Sequence, residues 1–132
     1  MSSESRLEDL VQAHLNASGY STRCQVPLHN RIVDLVARDD AGNIVAVEVK
    51  LKQWKRAVRQ ATASRNSFDF VYVCMPAGPY VEALKNAASL EGVGVMLLDP
   101  ETLEVRTVLQ PEKPKHQWKP NVARMRAAVA GV

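Results

Sequence analysis

Residues 31–50, RIVDLVARDDAGNIVAVEVK, constrain the fold more than any other stretch of the chain. Two runs rich in Ile and Val flank Asp39-Asp40-Ala41-Gly42-Asn43, a cluster of turn formers, so 31–38 and 44–50 read as the arms of a β-hairpin. A five-residue loop from 39 to 43 opposes Arg38 to Ile44, and the same register carried inward opposes Asp34 to Glu48. Period-two alternation puts Ile32, Asp34 and Val36 on one face of the first arm. It puts Glu48 and Lys50 on one face of the second, with Val45, Val47 and Val49 opposite. Asp34, Glu48 and Lys50 therefore converge. Directly opposed Cβ atoms lie about 4.5–5.5 Å apart, where two unit charges at an effective dielectric near 20 repel by roughly 3 kcal/mol. A proton on one acid, Lys50 as counter-charge, or a divalent cation between the two would each relieve the pair. A hard ion such as Mg²⁺ suits one or two carboxylates completed by waters and phosphate oxygens. The plainer alternative makes the two acids strand-end residues paired at the surface with Arg31, Lys50 or Lys52. The apolar neighbours Ile32, Val33, Leu35, Val47 and Val49 favour the ion site, because unpaired charge in buried sheet is expensive.

The rest of the chain supplies a sheet and its covering helices. Leu7, Leu10, Val11, His14 and Leu15 recur at helical spacing, predicting a helix over about 4–18 that stops at Gly19. Residues 20–27 read as a strand. A second amphipathic helix is expected at about 53–65, with Trp54, Ala57, Val58 and Ala61 inward and the basic residues outward. A buried strand at 70–75, a helix at about 80–90 and an apolar strand at 93–98 follow, and this β-to-α-to-β order implies parallel pairing. A last strand is expected at about 103–109. Three prolines in PEKPKHQWKP forbid a helix or central strand there and predict an extended surface segment, before a short helix at 122–130 with Asn121 as its N-cap. The fold class is α/β, with a central mixed sheet flanked by helices. The domain division is 1–109 for the body and 110–132 for a basic, proline-containing tail.

Length and composition leave room for one domain of this kind. A chain of 132 residues with 46% hydrophobic and 23% charged residues can bury a core without disulfide staples. No stretch nears the roughly 18 apolar residues of a membrane span, and the first residues lack the pattern of a secretory signal, so a cytoplasmic location without membrane contact is expected. Cys24 and Cys74 show no metal-ligand spacing and read as reduced thiols. The net charge of +3 is mild, but its placement is not: residues 110–132 carry Lys113, Lys115, Lys119, Arg124 and Arg126 against Glu112 alone. Lys50, Lys52, Lys55, Arg56, Arg59 and Arg65 likewise fall within 50–65 with no acid among them. Two basic surfaces of this kind can track a phosphate backbone.

Ile32-Val33-Asp34, thirteen intervening residues, then Glu48-Val49-Lys50 resembles the signature of the PD-(D/E)XK nuclease superfamily, of the restriction-endonuclease and Holliday-junction-resolvase kind. Glu8 on the preceding helix and Gln60, ten residues after Lys50, resemble accessory positions of the same families, and the likeness covers about residues 4–99. Val33 stands where the motif's name has proline. The resemblance implies a restriction-endonuclease-like core and metal-dependent hydrolysis of phosphodiester bonds in DNA. It implies Asp34, Glu48, the Val49 carbonyl and Glu8 as ligands of Mg²⁺ or Mn²⁺. Lys50 would position or deprotonate the attacking water and offset phosphate charge, and Gln60 would orient Lys50 or touch the nucleic-acid backbone. Glu4 competes with Glu8 for the accessory place, and Glu8 also reads as a first-turn acid that complements the helix dipole.

Lys52, Lys55, Arg56 and Arg59, with Lys115 and Lys119 of the tail, are the expected nucleic-acid contacts, against the blander reading of solvated charge. Trp118 either stacks on a base or pins the tail to the body. A nuclease-fold module without catalysis, binding DNA or another protein, is the competing class, since fold alone does not establish activity. A chain this short has little room for its own sequence-reading domain, so a homodimer or a place in a larger restriction or repair complex is also expected.

Overall fold

The computed structural model describes residues 3–130. Helix α1 (Glu4–Ala17) precedes strands β1 (Ser21–Leu28), β2 (Arg31–Arg38) and β3 (Ile44–Val49). Helix α2 (Trp54–Ser64) and a short 3-10 turn (Arg65–Ser67) lead to β4 (Phe70–Pro76). Helix α3 (Val81–Leu90), β5 (Gly94–Leu98), β6 (Val105–Leu109) and helix α4 (Lys119–Val129) complete the fold. The six strands form one mixed sheet whose spatial order is their sequence order. Neighbours pair antiparallel from β1 to β3, parallel from β3 to β5, and antiparallel again at β6.

The parallel strands need crossovers, and α2 and α3 supply them on one face, as two successive connections of the same hand require. On that face Ala57, Val58, Ala61, Leu84 and Ala88 pack with Val36, Ile44, Ala46, Val71, Val73 and Val95. The other face is covered by α1, whose Leu7, Val11 and Leu15 meet Leu35, Val45, Val47, Val49 and Cys74. Every residue of β3 is buried because both its faces are covered, and this is why IVAVEV reads as nearly continuous apolar sequence. The hairpin loop closes as expected: Asp39 Oδ1 accepts the Asn43 N–H at 2.8 Å, and Gly42 takes the positive φ of +86° that the turn needs.

Two expectations are corrected at the C-terminal end. The last strand starts at Val105 rather than 103, because Leu103 is left-handed (φ +63°) and the Asp99 carboxylate gathers the Glu101 and Thr102 N–H groups into a turn. The last helix starts at Lys119, with Trp118 at the cap and Pro120 in its first turn, where a missing N–H costs nothing. Asn121 is therefore no N-cap; its buried amide reaches His29 and Ser67 Oγ instead. Met125 and Val129 of α4 enter the same core as α2 and α3. Gln117 donates to the Phe68 carbonyl and to Asp69 Oδ1, both at 2.9 Å, and Lys113 pairs with Asp69 at 3.4 Å. Among the described residues no helix is long and apolar enough to cross a membrane.

Candidate active site

The site forms where β2 parts from β3. Their ladder runs from Arg38↔Ile44 to Leu35↔Val47, the register the hairpin loop dictates. One step further, Asp34 meets β3 with its side chain: Asp34 Oδ2 accepts the Val49 N–H at 2.8 Å. The alternation of β2 slips at the same point, since Leu35 packs on the α1 face while Val33 joins the core on the α2 face. The partner strand shows the cause. Between the pairs Cys24↔Leu35 and Val26↔Val33, Gln25 adopts φ +55°, a left-handed conformation that a non-glycine residue holds at about 1–3 kcal/mol. Beyond Leu35 the β2 backbone no longer pairs with β3, and Asp34 and Glu48 come together at that split.

Glu48 is 2% exposed. Burial pushes its carboxyl up to about 7; the Arg31 guanidinium opposes the rise, the Asp34 carboxylate within hydrogen-bonding reach adds to it, and Lys50 lowers it. The two acids expected to oppose each other come within reach, though not as a ladder pair, since the β2–β3 ladder ends at Leu35↔Val47, and the Lys50 charge acts on Glu48. The principal partner of Glu48 is nevertheless Arg31, which donates Nη2 to Glu48 Oε1 and Nη1 to the Gln60 carbonyl (2.8 Å) and Ser64 Oγ (2.6 Å) of α2. The plainer sequence reading had named Arg31 as a partner. What it missed is that this pair lies inside the protein, because Arg31 reaches in from the start of β2 beneath α2.

Glu8 joins from α1. Its Oε1 accepts from Gln25 Nε2 at 2.7 Å, and its carboxyl is raised by burial, against that hydrogen bond, with Asp34 adding a further upward push. Glu4, one turn earlier, accepts the Leu51 N–H at 3.3 Å just past the end of β3, and of the two candidates Glu8 is the one that the Asp34 charge acts on. Gln60 contributes its backbone carbonyl to Arg31. Gln25 was not anticipated; nothing in STRCQVPL marks it, and only the kink in β1 gives it a place.

The side chains that meet here, Asp34 and Glu48 with Glu8 nearby, offer only hard oxygen donors, the chemistry that suits Mg²⁺ or Mn²⁺. Each carboxylate of the central pair also serves the protein, Asp34 by accepting the Val49 N–H and Glu48 by pairing with Arg31. These residues fit a divalent ion coordinated in part by waters. Among the described residues no group of three or more His, Cys, Asp or Glu side chains is drawn together as a ready-made cage.

The expected nucleic-acid contacts lie on two surfaces. Lys52, Lys55, Arg56 and Arg59 are exposed, and a hollow lined by Gln53, Trp54, Lys55, Arg56 and Arg59 runs along the start of α2. That start has no acidic residue in its first turn and no side-chain cap, so its free N–H groups and positive dipole end are surrounded by basic side chains and have no anionic partner there. Lys55 Nζ sits 5.6 Å from the centre of the Trp54 ring. Lys115 lines a separate groove with Thr62, Arg65, Asn66 and His116 at the far end of α2, and Lys119 is exposed at the first turn of α4. Trp118 donates its N–H to the Asn66 carbonyl at 2.7 Å while its residue remains 57% exposed.

No protein-family model matches the chain, and no curated protein matches it. Among solved structures it is similar to SPO1766, a protein of unknown function from Silicibacter pomeroyi, at 18% identity and a TM-score of 0.69, over 93% of this chain and 77% of that one. It is similar to EndoMS in a complex with double-stranded DNA, at 22% identity and a TM-score of 0.58, over 74% of this chain and 45% of that one. It is also similar to a repair endonuclease from Pyrococcus abyssi, at 18% identity and a TM-score of 0.52, over 86% of this chain and 49% of that one. The chain thus spans less than half of either endonuclease chain. At these identities the likeness is one of fold: the chain's own α/β fold, built on a mixed six-stranded sheet, is similar to that of endonucleases.

Proposed function

We propose that this chain is a divalent-cation-dependent nuclease of the PD-(D/E)XK kind that hydrolyses phosphodiester bonds in DNA. One observation carries the reading: Asp34 and Glu48 stand together at the split between β2 and β3, with Glu48 buried enough to be raised to about 7 and Lys50 acting on it. A closely placed acid pair of this sort is destabilising to the apo fold, and such arrangements cluster at functional sites. Support for DNA as substrate comes from the fold shared with EndoMS, seen on double-stranded DNA, and with a repair endonuclease.

Asp34, Glu48 and the Val49 carbonyl would hold the ion, with Glu8 completing its surroundings directly or through water. The ion, Mg²⁺ or Mn²⁺, supplies positive charge that polarises a phosphate oxygen and acidifies water. Lys50, whose charge acts on Glu48, would orient the attacking water and offset charge that grows on the phosphate. The uncapped start of α2, with Lys52, Lys55, Arg56 and Arg59, would hold the backbone as an anion at a helix N-terminus. Gln60 serves through its carbonyl, which fixes Arg31, more directly than through its amide.

A second reading is a nuclease-fold DNA-binding or protein-interaction module, or a subunit of a larger assembly, without catalysis. It is favoured by the Arg31–Glu48 ion pair, which already satisfies the buried acid without an ion. Labelled linear, nicked, flapped and four-way DNA incubated with Mn²⁺ decides between them. Cleavage by the wild type that is lost in Asp34→Asn is expected, and cleavage retained by Asp34→Asn rejects the assignment. Binding without cleavage at any ion concentration selects the second reading.

A further inference from the structure

We infer that Arg31 is a positioning residue that competes with the cation for Glu48, holding the carboxylate in the metal-free protein and yielding it as the ion enters. The inference rests on the reading of Asp34 and Glu48 as cation ligands. Glu48 is almost fully enclosed, with a side chain 3% exposed, so its charge must be matched from within. Arg31 does this through a fork. Its Nη2 takes Glu48 Oε1, while Nη1 is held by two acceptors on α2, the Gln60 carbonyl at 2.8 Å and Ser64 Oγ at 2.6 Å.

The two ends of the fork differ in what can displace them. An oxygen that accepts an N–H on one lone pair has less charge to offer a cation, and two positive groups on one carboxylate repel each other. A guanidinium cannot escape by losing a proton, so it must shift or weaken the ion. The Arg31 side chain is 27% exposed, against 3% for Glu48, so it has the freer side toward water. Its anchor on α2 does not involve Glu48 at all. Released from the carboxylate, the guanidinium stays tethered at the edge of the site, with Nη2 free to donate to a phosphate oxygen. Arg31 thereby links occupation of the carboxylates to the helix that carries Lys55, Arg56 and Arg59.

The test is calorimetric Mn²⁺ binding to metal-free wild type, Arg31→Gln, Arg31→Lys and Asp34→Asn. A pH of 8.5 keeps a proton from taking the place of the guanidinium. Arg31→Gln is expected to bind Mn²⁺ on the order of tenfold more tightly than wild type. Arg31→Lys, which keeps the charge but cannot span both partners, should fall between them, and it serves alone if Arg31→Gln does not fold. In the wild type the Arg31 side-chain ¹⁵Nε resonance should move during a Mg²⁺ titration. Equal or weaker Mn²⁺ binding by both Arg31 variants, with wild-type binding lost in Asp34→Asn, overturns the role of Arg31 and leaves the carboxylates as ligands. Wild-type binding no tighter than that of Asp34→Asn removes the ligand reading itself, and the competition with it.

Discussion

The Asp34 carboxylate takes the backbone N–H of Val49 at 2.8 Å, so a side chain finishes a ladder that the backbone of β2 has abandoned. Asp34 is thus a structural acceptor and a candidate ligand at once, and the two tasks separate by substitution. Asp34→Asn keeps a carbonyl oxygen for Val49 and should fold with near wild-type stability while losing metal-dependent stabilisation and cleavage. Asp34→Ala orphans a part-buried N–H and should be about 1–3 kcal/mol less stable by urea denaturation. Equal stability of the two variants would show that the bond contributes nothing.

Gln25 supplies a test of the kink. Within an ordinary strand, glycine is about 0.5–1 kcal/mol worse than alanine; at a left-handed position the sign reverses. Both Gln25→Ala and Gln25→Gly lose the bond to Glu8, so the difference between them isolates the backbone. Gln25→Gly should be the more stable by about 1 kcal/mol, measured from paired denaturation midpoints.

The start of α2 predicts a salt signature. If Arg56 and Arg59 each contact a phosphate, replacing either with Ala should weaken DNA binding similarly for all sequences and reduce the slope of log K against log salt by about 1. Fluorescence anisotropy at several salt concentrations measures this, and an unchanged slope in both variants would remove the helix from the interface.

Acid stability should report Asp69. Its carboxyl would be raised by burial, but the Ile44 N–H, the Gln117 amide and Lys113 outweigh this and hold it below the usual aspartate range. A depressed carboxylate contributes stability that is full above its unfolded pKa of about 3.9 and drains away as pH falls through the lower folded value. Asp69→Asn should lower stability at pH 7 and flatten its fall below pH 4, read from denaturation midpoints across that range. An unaltered acid limb would place the loss on other groups.

The helical C-terminal segment predicts a core effect. Met125 is fully buried among residues of the sheet and of α2 and α3, so Met125→Ala should cost about 2–5 kcal/mol, whereas Arg124→Ala beside it on the surface should change stability by less than about 0.5 kcal/mol.

The parts of the fold that were legible are those with a strong local signal. The loop 39–43 fixes the register from Arg38↔Ile44 to Leu35↔Val47, because five turn residues between two apolar arms permit few alternatives. The helices at 4–17, 54–64 and 81–90 follow from periodicity for the same reason. What escaped was tertiary. Arg31 looks like any polar residue at a strand start, and only the acceptors that α2 offers, the Gln60 carbonyl and Ser64 Oγ, turn it inward to Glu48. The left-handed Gln25 has no sequence mark because the fold, not glycine, imposes it. Asn121 carries the chemistry of a cap, yet Pro120 sets the helix start and frees its amide for His29 and Ser67.

The place of α4 has a consequence for biosynthesis. Every residue proposed for the chemistry, from Glu8 to Gln60, is made well before α4, but the core beneath β2 and β3 is not filled until Met125 and Val129 arrive. A ribosome-bound nascent chain therefore exposes these carboxylates long before it can hold them in register. Whatever chemistry these groups support, it depends on α4 having folded back into the core beneath them.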